Sequence, residues 1–508
     1  MNFLLASLPI IVILALMIRL RWGASRAGAA GYLIALVIAI GAFGSGAELL
    51  AVAHGKALLL TIDVLFIIWM AFLLFRVADE AGAIKTIGQA LPHLTADKGM
   101  QALIIGWAFA SFLQGVGGFG VPVAVIAPLM VGLGFTPLSA VVIPSVGHSW
   151  AVTFGSLGSS FNAMMAATGL PQDYLGAPAA IFLGIAGIGV GLMVTHAAGG
   201  WAALKRLLWP ALILGVVMGI AQYLGVRAGL WNVGAFLGGL AGLLVGFPLA
   251  RRFRGEQHEN GDLDSKNLGI ALSGYAVLVA ITLGVQLIPD IRSFLGQVVF
   301  TLDFSTVSTA TGFITPAEAG RKIPVFRHAG AILLYASMIA FLIYKRAGWY
   351  KPGAAGQIVT GTIKKVMSSS VGIASMVAMA VVMQHAGMTE TLARGLAEGV
   401  GALFPAISPW IGALGAFMTG SNTNSNVVFA ALQFRTAELL GYSAAIILAA
   451  QTSGGALGSV IAPTKIVVGA STGGMAGREG EVLRKMLVYT GLLVLMMSIL
   501  AVIGVWLF

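Results

Sequence analysis

Cysteine is missing from all 508 residues, which excludes disulfides and thiolate metal sites. Charge is scarce as well, at 9% of residues. No His-Glu-x-x-His motif, pair of membrane aspartates or Cys/His pair is present, so a membrane-embedded protease or acyltransferase has no support. The absence of a Walker motif argues against ATP drive. No arginine stripe is interleaved with aromatics, which sets nucleic acid aside. Short strands of alternating polarity, the mark of a transmembrane barrel, are also absent.

Hydrophobic residues make up 58% of the chain, and apolar runs of about 18 or more residues recur, each able to cross a hydrocarbon core of about 30 Å. The fold class is therefore an all-α polytopic membrane protein. Approximate spans are 3–20, 31–53, 58–78, 137–169, 176–197, 203–225, 229–250, 268–289, 326–344, 366–384, 441–475 and 487–507, or about twelve transmembrane helices. Asn2–Leu20 runs into the basic cluster Arg19, Arg21 and Arg26 with no convincing cleavage site, so it reads as a retained helix rather than a signal peptide. The net charge of +11 reflects loops held in the cytoplasm. The basic clusters Arg19/Arg21/Arg26, Arg251/Arg252/Arg254, Lys345/Arg346/Lys351 with Lys364/Lys365, and Arg478/Arg484/Lys485 all fall on one side, which places both termini outside.

The chain also repeats itself. Asp79-Glu80-Ala81-Gly82 reads against Gln384-His385-Ala386-Gly387, and Phe112-Leu113-Gln114-Gly115 against Phe417-Met418-Thr419-Gly420, at one offset (417 − 112 = 305). The charge bias gives span 58–78 and its counterpart near 363–384 opposite directions, so the two repeats have inverted topology, the usual build of a secondary transporter. A first half, 1–250, and a second half, 268–508, flank a cytoplasmic linker at 251–267. Residues 290–325 form a polar external loop.

Segments 101–133 and 405–435 are each broken at the centre by a polar, glycine-rich stretch: Gln114-Gly115-Val116-Gly117-Gly118-Phe119-Gly120 and Thr419-Gly420-Ser421-Asn422-Thr423-Asn424-Ser425-Asn426. Both read as re-entrant hairpins, since unpaired backbone at membrane depth needs protein or a watery cavity around it. The spans 137–169 and 441–475 are interrupted in the same way, at Gly147–Ser160 and Ser453–Lys465. Half-helix N-termini at such breaks favour an anion, and the surrounding amides and hydroxyls suit a small hydrogen-bonding one. The glycines of the spans read mainly as helix packing.

Ionisable residues in the spans leave alternatives open. Lys465 either meets a substrate carboxylate or snorkels to helix-end carbonyls. His148 is either a proton carrier or a satisfied structural histidine. Asp63 is either interfacial or a proton site. Glu48, Asp79, Glu80, His385 and Glu390 lie near predicted ends and read as structural.

Phe112–Pro122, Gly147–Ser156 and Thr419–Asn426 resemble the lactate permease family of bacterial inner-membrane proteins, whose members carry L-lactate, D-lactate and glycolate with protons. The resemblance covers mainly 58–200 and 360–475. It implies proton symport of a 2-hydroxymonocarboxylate, no cofactor or metal, and the superfamily's two inverted repeats, often on a dimeric scaffold. The substrate site expected from the breaks and the ionisable residues comprises Gln114, Gly117, Gly118, Phe119, Ser421, Asn422, Thr423, Asn424, Asn426 and Lys465, with His148 and Asp63 for the proton. Sodium-coupled dicarboxylate members of that superfamily hold Ser-Asn-Thr at both hairpin tips. Here Ser421-Asn422-Thr423 matches at the second, but Val116-Gly117-Gly118 occupies the first, which favours protons over sodium. The alternatives are a permease for a short-chain fatty acid or a dicarboxylate, sodium-coupled or not, and a channel. Breaks that occur twice suit alternating access better than a channel.

Overall fold

The computed structural model describes residues 2–20, 22–90, 95–116, 120–253, 265–317, 323–476 and 478–507. The chain is a polytopic helical membrane protein. Among the described residues, nine helices are long and apolar enough to cross a membrane. Among the same described residues, the sheet content is two pairs of two-residue antiparallel strands, Val299–Phe300 with Ile323–Pro324 and Val307–Ser308 with Ile314–Thr315, all within the segment read as a polar loop. Most of the 251–267 linker lies outside the described residues.

Several boundaries differ from the sequence reading. The break expected between 53 and 58 does not exist, because Ala47–Glu80 is a single helix of 34 residues. Chain reversal occurs instead at Ala42–Gly46, with Gly44 at φ 68°. At 1.5 Å per residue the helix is about 51 Å long, far more than a bilayer core requires. Its first turns can therefore carry His54-Gly55-Lys56 without interrupting the hydrogen bonding. His54 donates from Nδ1 to the Leu50 carbonyl at 2.6 Å and accepts at Nε2 from the Tyr32 hydroxyl, also at 2.6 Å. The matching helix of the second half, Ala354–His385, likewise begins early and carries Lys364 and Lys365 on its exposed face rather than in a loop.

Each interrupted segment forms two helices. In the first half, Lys98–Val116 leads to a tip and Val121–Gly132 leads away. The Lys98 ammonium bonds the Gly134 carbonyl at 2.5 Å, which holds the two ends of this hairpin together. Pro137–Gly147 then stops, the backbone loosens through two short 3-10 turns, and Ser159–Thr168 resumes. In the second half the same order recurs as Phe404–Thr419, Asn422–Leu440, Ala444–Gly458 and Pro463–Thr472.

Glycine explains how a hairpin arm and a broken helix approach so closely. A Cβ on Gly147 would stand 2.0 Å from the Gly106 carbonyl oxygen, and one on Gly412 would stand 2.0 Å from that of Gln451. Backbone lies against backbone in both halves, as the packing reading of the glycines requires. Around the first contact, Trp107, Phe112 and Trp150 are fully buried, and Trp150 Nε1 donates to Ser111 Oγ at 2.9 Å.

Beyond the breaks, helices far apart in the chain interlock. Ser159–Thr168 packs on Asn422–Leu440 of the second hairpin, and Pro463–Thr472 packs on Val121–Gly132 of the first, with Gly469 set between Val123 and Val141.

Candidate functional site

The second hairpin tip meets both breaks. Ser421 caps the outgoing helix, its Oγ accepting from the Asn424 N–H at 3.3 Å. From the first turn Asn422 and Asn426, four residues apart, project on one face. Asn422 Nδ2 donates to Thr153 Oγ1 at 3.1 Å and approaches Thr452 Oγ1 at 3.4 Å. Asn426 Nδ2 donates to Thr452 Oγ1 and to the Ser160 carbonyl, both at 2.9 Å. The Thr423 and Ser160 hydroxyls share a bond of 3.0 Å, and those of Thr153 and Thr452 one of 3.1 Å. Thr153 and Ser160 lie in the break of the first half, and Thr452 in the last turns before the break of the second. The cluster therefore ties together three elements from both halves. Behind it, Gln451 Nε2 donates to Ser425 Oγ at 3.1 Å, and Gln451, Gln433 and Ser408 continue the chain of bonds.

The first break is strained. Ser156 and Leu157 have φ values of 46° and 55°, a conformation that L-residues avoid and that costs on the order of 1–3 kcal/mol per residue where it occurs. Gln114, at the end of the first hairpin's incoming arm, packs its side chain against Gly155 in the same break. His148 is completely buried, and its Nδ1 lies 2.6 Å from the Pro144 carbonyl. A carbonyl only accepts, so Nδ1 carries the hydrogen and Nε2 is a bare acceptor. Lys465, on the first turn of Pro463–Thr472, donates to Ser459 Oγ at 3.1 Å and stands within electrostatic reach of His148.

Among the described residues, His148 Nε2, Gln114 Oε1 and Asn422 Oδ1 are buried acceptors that lack a hydrogen-bond partner. A buried polar atom left unpaired costs about 1–3 kcal/mol. All three would be satisfied by a donor such as a hydroxyl.

Of the residues expected at the site, Ser421, Asn422, Thr423 and Asn426 converge, with Gln114, His148 and Lys465 beside the two breaks. Gly117, Gly118 and Phe119 lie outside the described residues. Asn424 makes none of the cluster's side-chain bonds; it lines a small pocket with Ile10, Ile13 and Met376, and its Oδ1 is likewise buried without a hydrogen-bond partner. Asn422→Ala is therefore expected to weaken substrate affinity well beyond any loss from Asn424→Ala at equal expression, as measured by ligand-induced thermal shift. Equal losses would place both amides in packing roles. Sequence reasoning did not single out Thr153, Ser160 and Thr452, although they stand in or beside the marked breaks, because only long-range pairing gives these hydroxyls their significance. Asp79, Glu80 and Glu390 are structural, paired to Arg76 at 2.8 and 2.9 Å and to Arg394 and Arg435 respectively.

Asp63 sits elsewhere, on the wall of a cavity of about 1110 Å³. Its Oδ1 lies 2.7 Å from His328 Nε2, and its Oδ2 lies 3.4 Å from the amide of Asn162. Lys56, Arg227, Arg292 and Arg327 also line the cavity, against one further carboxylate, Asp173. The lining reaches Asn162 but none of Ser160, Asn422 or Thr452, so the polar cluster lies closed off beyond it.

Comparison with known proteins gives one answer. The sequence profile of a family described as L-lactate permease matches residues 2–508. The L-lactate permease of Bacillus subtilis (strain 168) is 29% identical, covering 98% of this chain and 95% of its own. That of Escherichia coli (strain K12) is 28% identical, covering 95% and 92%. The glycolate permease GlcA of the same organism is 29% identical over the same shares.

Proposed function

Because the chain belongs to the L-lactate permease family, and is thus a transporter and not an enzyme, we propose that it imports lactate or glycolate by proton symport across a bacterial inner membrane. The observation that carries the substrate class is the unpartnered Asn422 Oδ1 inside a cluster of neutral amides and hydroxyls. A 2-hydroxyl group donates to it, whereas a simple fatty acid leaves it unpaired. The substrate carboxylate lies at the half-helix N-termini beside Lys465, where N–H groups and positive dipole ends gather. Gln114, Ser421, Thr423 and Asn426 complete the shell.

Twelve crossings and two re-entrant hairpins in inverted repeats accommodate the helix bounds. Ala83–Ala90 and Met388–Val400 begin 305 residues apart (388 − 83 = 305), and Lys205/Arg206, Arg251 and Lys345/Arg346 end every second crossing on what the charge bias makes the cytoplasmic side. The first hairpin then enters from inside and the second from outside. The breaks of the two repeats meet at the midplane, where rocking of one repeat against the other gives alternating access. The cavity opens outward, and its basic rim gathers anions.

Proteoliposomes test this reading. An inward pH gradient in sodium-free buffer is expected to drive accumulation of labelled L-lactate and glycolate, and propionate should compete poorly. A hydroxyl matched by a buried acceptor is worth about 1–3 kcal/mol. Strict dependence on sodium overturns proton coupling, and equal competition by propionate overturns the role of Asn422.

A further inference from the structure

The Asp63–His328 pair has a feature that distinguishes its two members. His328 caps the helix Ala329–Arg346, its Nδ1 accepting from the Gly330 backbone N–H at 3.1 Å. A backbone N–H can only donate, so Nδ1 is bare and Nε2 holds the single ring hydrogen, directed at Asp63 Oδ1. Phe66 stacks on the ring with centroids 5.1 Å apart and holds its plane. A second proton on His328 would turn Nδ1 into a donor facing a donor and break the cap. The neutral ring is thus fixed as its Nε2–H tautomer, which donates to the carboxylate and keeps the cap.

We propose that Asp63 is the residue that takes the co-transported proton from the outer cavity, with His328 as its positioning residue and Asn162 as the group that reads its protonation state. The proposal rests on the symport reading above and deepens it. Both members of the pair are buried yet line the cavity, which supplies a route for water that fully buried His148, absent from that lining, does not have. The charged groups that share the cavity are Lys56 on the same helix, Arg327 beside His328, and Arg227, Arg292 and Asp173 across it. The helix Ala354–His385 contributes the neutral Gln384, and Ser159–Thr168 the neutral Asn162.

Asn162 links the pair to the substrate cluster. As a carboxylate, Asp63 accepts from the amide N–H₂. Once protonated at Oδ2 it becomes a donor there and needs the amide to present its oxygen instead. Asn162 stands two residues from Ser160, whose carbonyl accepts from Asn426 and whose hydroxyl meets Thr423. A change at Asp63 therefore reaches the short helix that separates the cavity from the closed cluster. The proton moves from water to the carboxylate and, after reorientation, from the carboxylate to water on the other side, with no other bond made or broken.

The test separates coupling from carriage. In proteoliposomes, Asp63→Asn is expected to lose accumulation of lactate above equilibrium under a pH gradient but to keep lactate/lactate counterflow, since a permanently neutral amide stands for the protonated state. His328→Ala is expected to move the pH at which uptake is half-maximal, and His328→Gln, which restores an N–H near the Nε2 position, to return it. Gradient-driven accumulation by Asp63→Asn overturns the proposal, as does an unmoved pH profile in His328→Ala. Should Asp63→Asn be unfolded, the histidine variants alone decide. If the unsubstituted protein exchanges lactate but ignores the pH gradient, the symport reading fails instead.

Discussion

Lys465→Met is expected to abolish the thermal stabilisation that lactate gives the purified transporter, while leaving the melting temperature without ligand close to that of the unsubstituted protein. Lys465 stands on the first turn of Pro463–Thr472 and donates to one hydroxyl, Ser459 Oγ. A cation at a helix N-terminus works against the dipole by about 0.3–1 kcal/mol. Its removal therefore costs the unliganded protein little. A bound carboxylate reverses the sign of that balance, because it meets the ammonium and the N–H groups together. Stabilisation by a ligand that binds only the folded state grows with concentration over Kd, so loss of binding is read directly as loss of the shift. Lys465→Arg should restore little, since a planar fork directs its donors differently from a compact ammonium. A Met variant still stabilised by lactate to the full extent would leave the carboxylate to the backbone N–H groups alone.

The second large effect contrasts two neighbouring glycines. A Cβ on Gly454 would lie 1.9 Å from the Pro409 carbonyl oxygen, in the packed contact between hairpin arm and broken helix. Neither backbone can yield, so the cost exceeds the roughly 1–3 kcal/mol usual for overpacking, and Gly454→Ala is expected to yield little monodisperse protein on size exclusion. A Cβ on Gly455 would lie 2.1 Å from Asn422 Oδ1 instead. There a side chain can turn aside, but only by giving up its bonds to Thr153 and Thr452. Gly455→Ala should therefore fold and bind lactate about 5–150-fold more weakly, the equivalent of about 1–3 kcal/mol. If both variants fail alike on size exclusion, Asn422 serves packing rather than substrate.

The breaks were legible in the sequence because six consecutive polar residues, Ser421–Asn426, and the glycines around Gln114 interrupt long apolar runs, and only a structural or functional need retains such interruptions at membrane depth. The family resemblance was legible from the same stretches. Local polarity misled at His54-Gly55-Lys56, where hydropathy falls while the helix continues. Asn424 shows another limit, since composition marks a polar run but only helical geometry decides which amides share a face. The partner of Asp63 was out of reach altogether. His328 lies 265 residues further on, and nothing in the local pattern around either residue announces the other.

The interlocking of helices far apart in the chain has a consequence for how the protein is made. Ser160 waits for Thr423, which lies 263 residues further along the chain. At about 5–20 residues per second, the ribosome needs on the order of 13–50 s to supply it. Throughout that interval the nascent first half holds Thr153, Ser160 and a strained turn in the bilayer without the amides that complete them. Neither half is then a finished folding unit. Severing the gene within the 251–267 linker should give two fragments that are each degraded when expressed alone and rescued when expressed together.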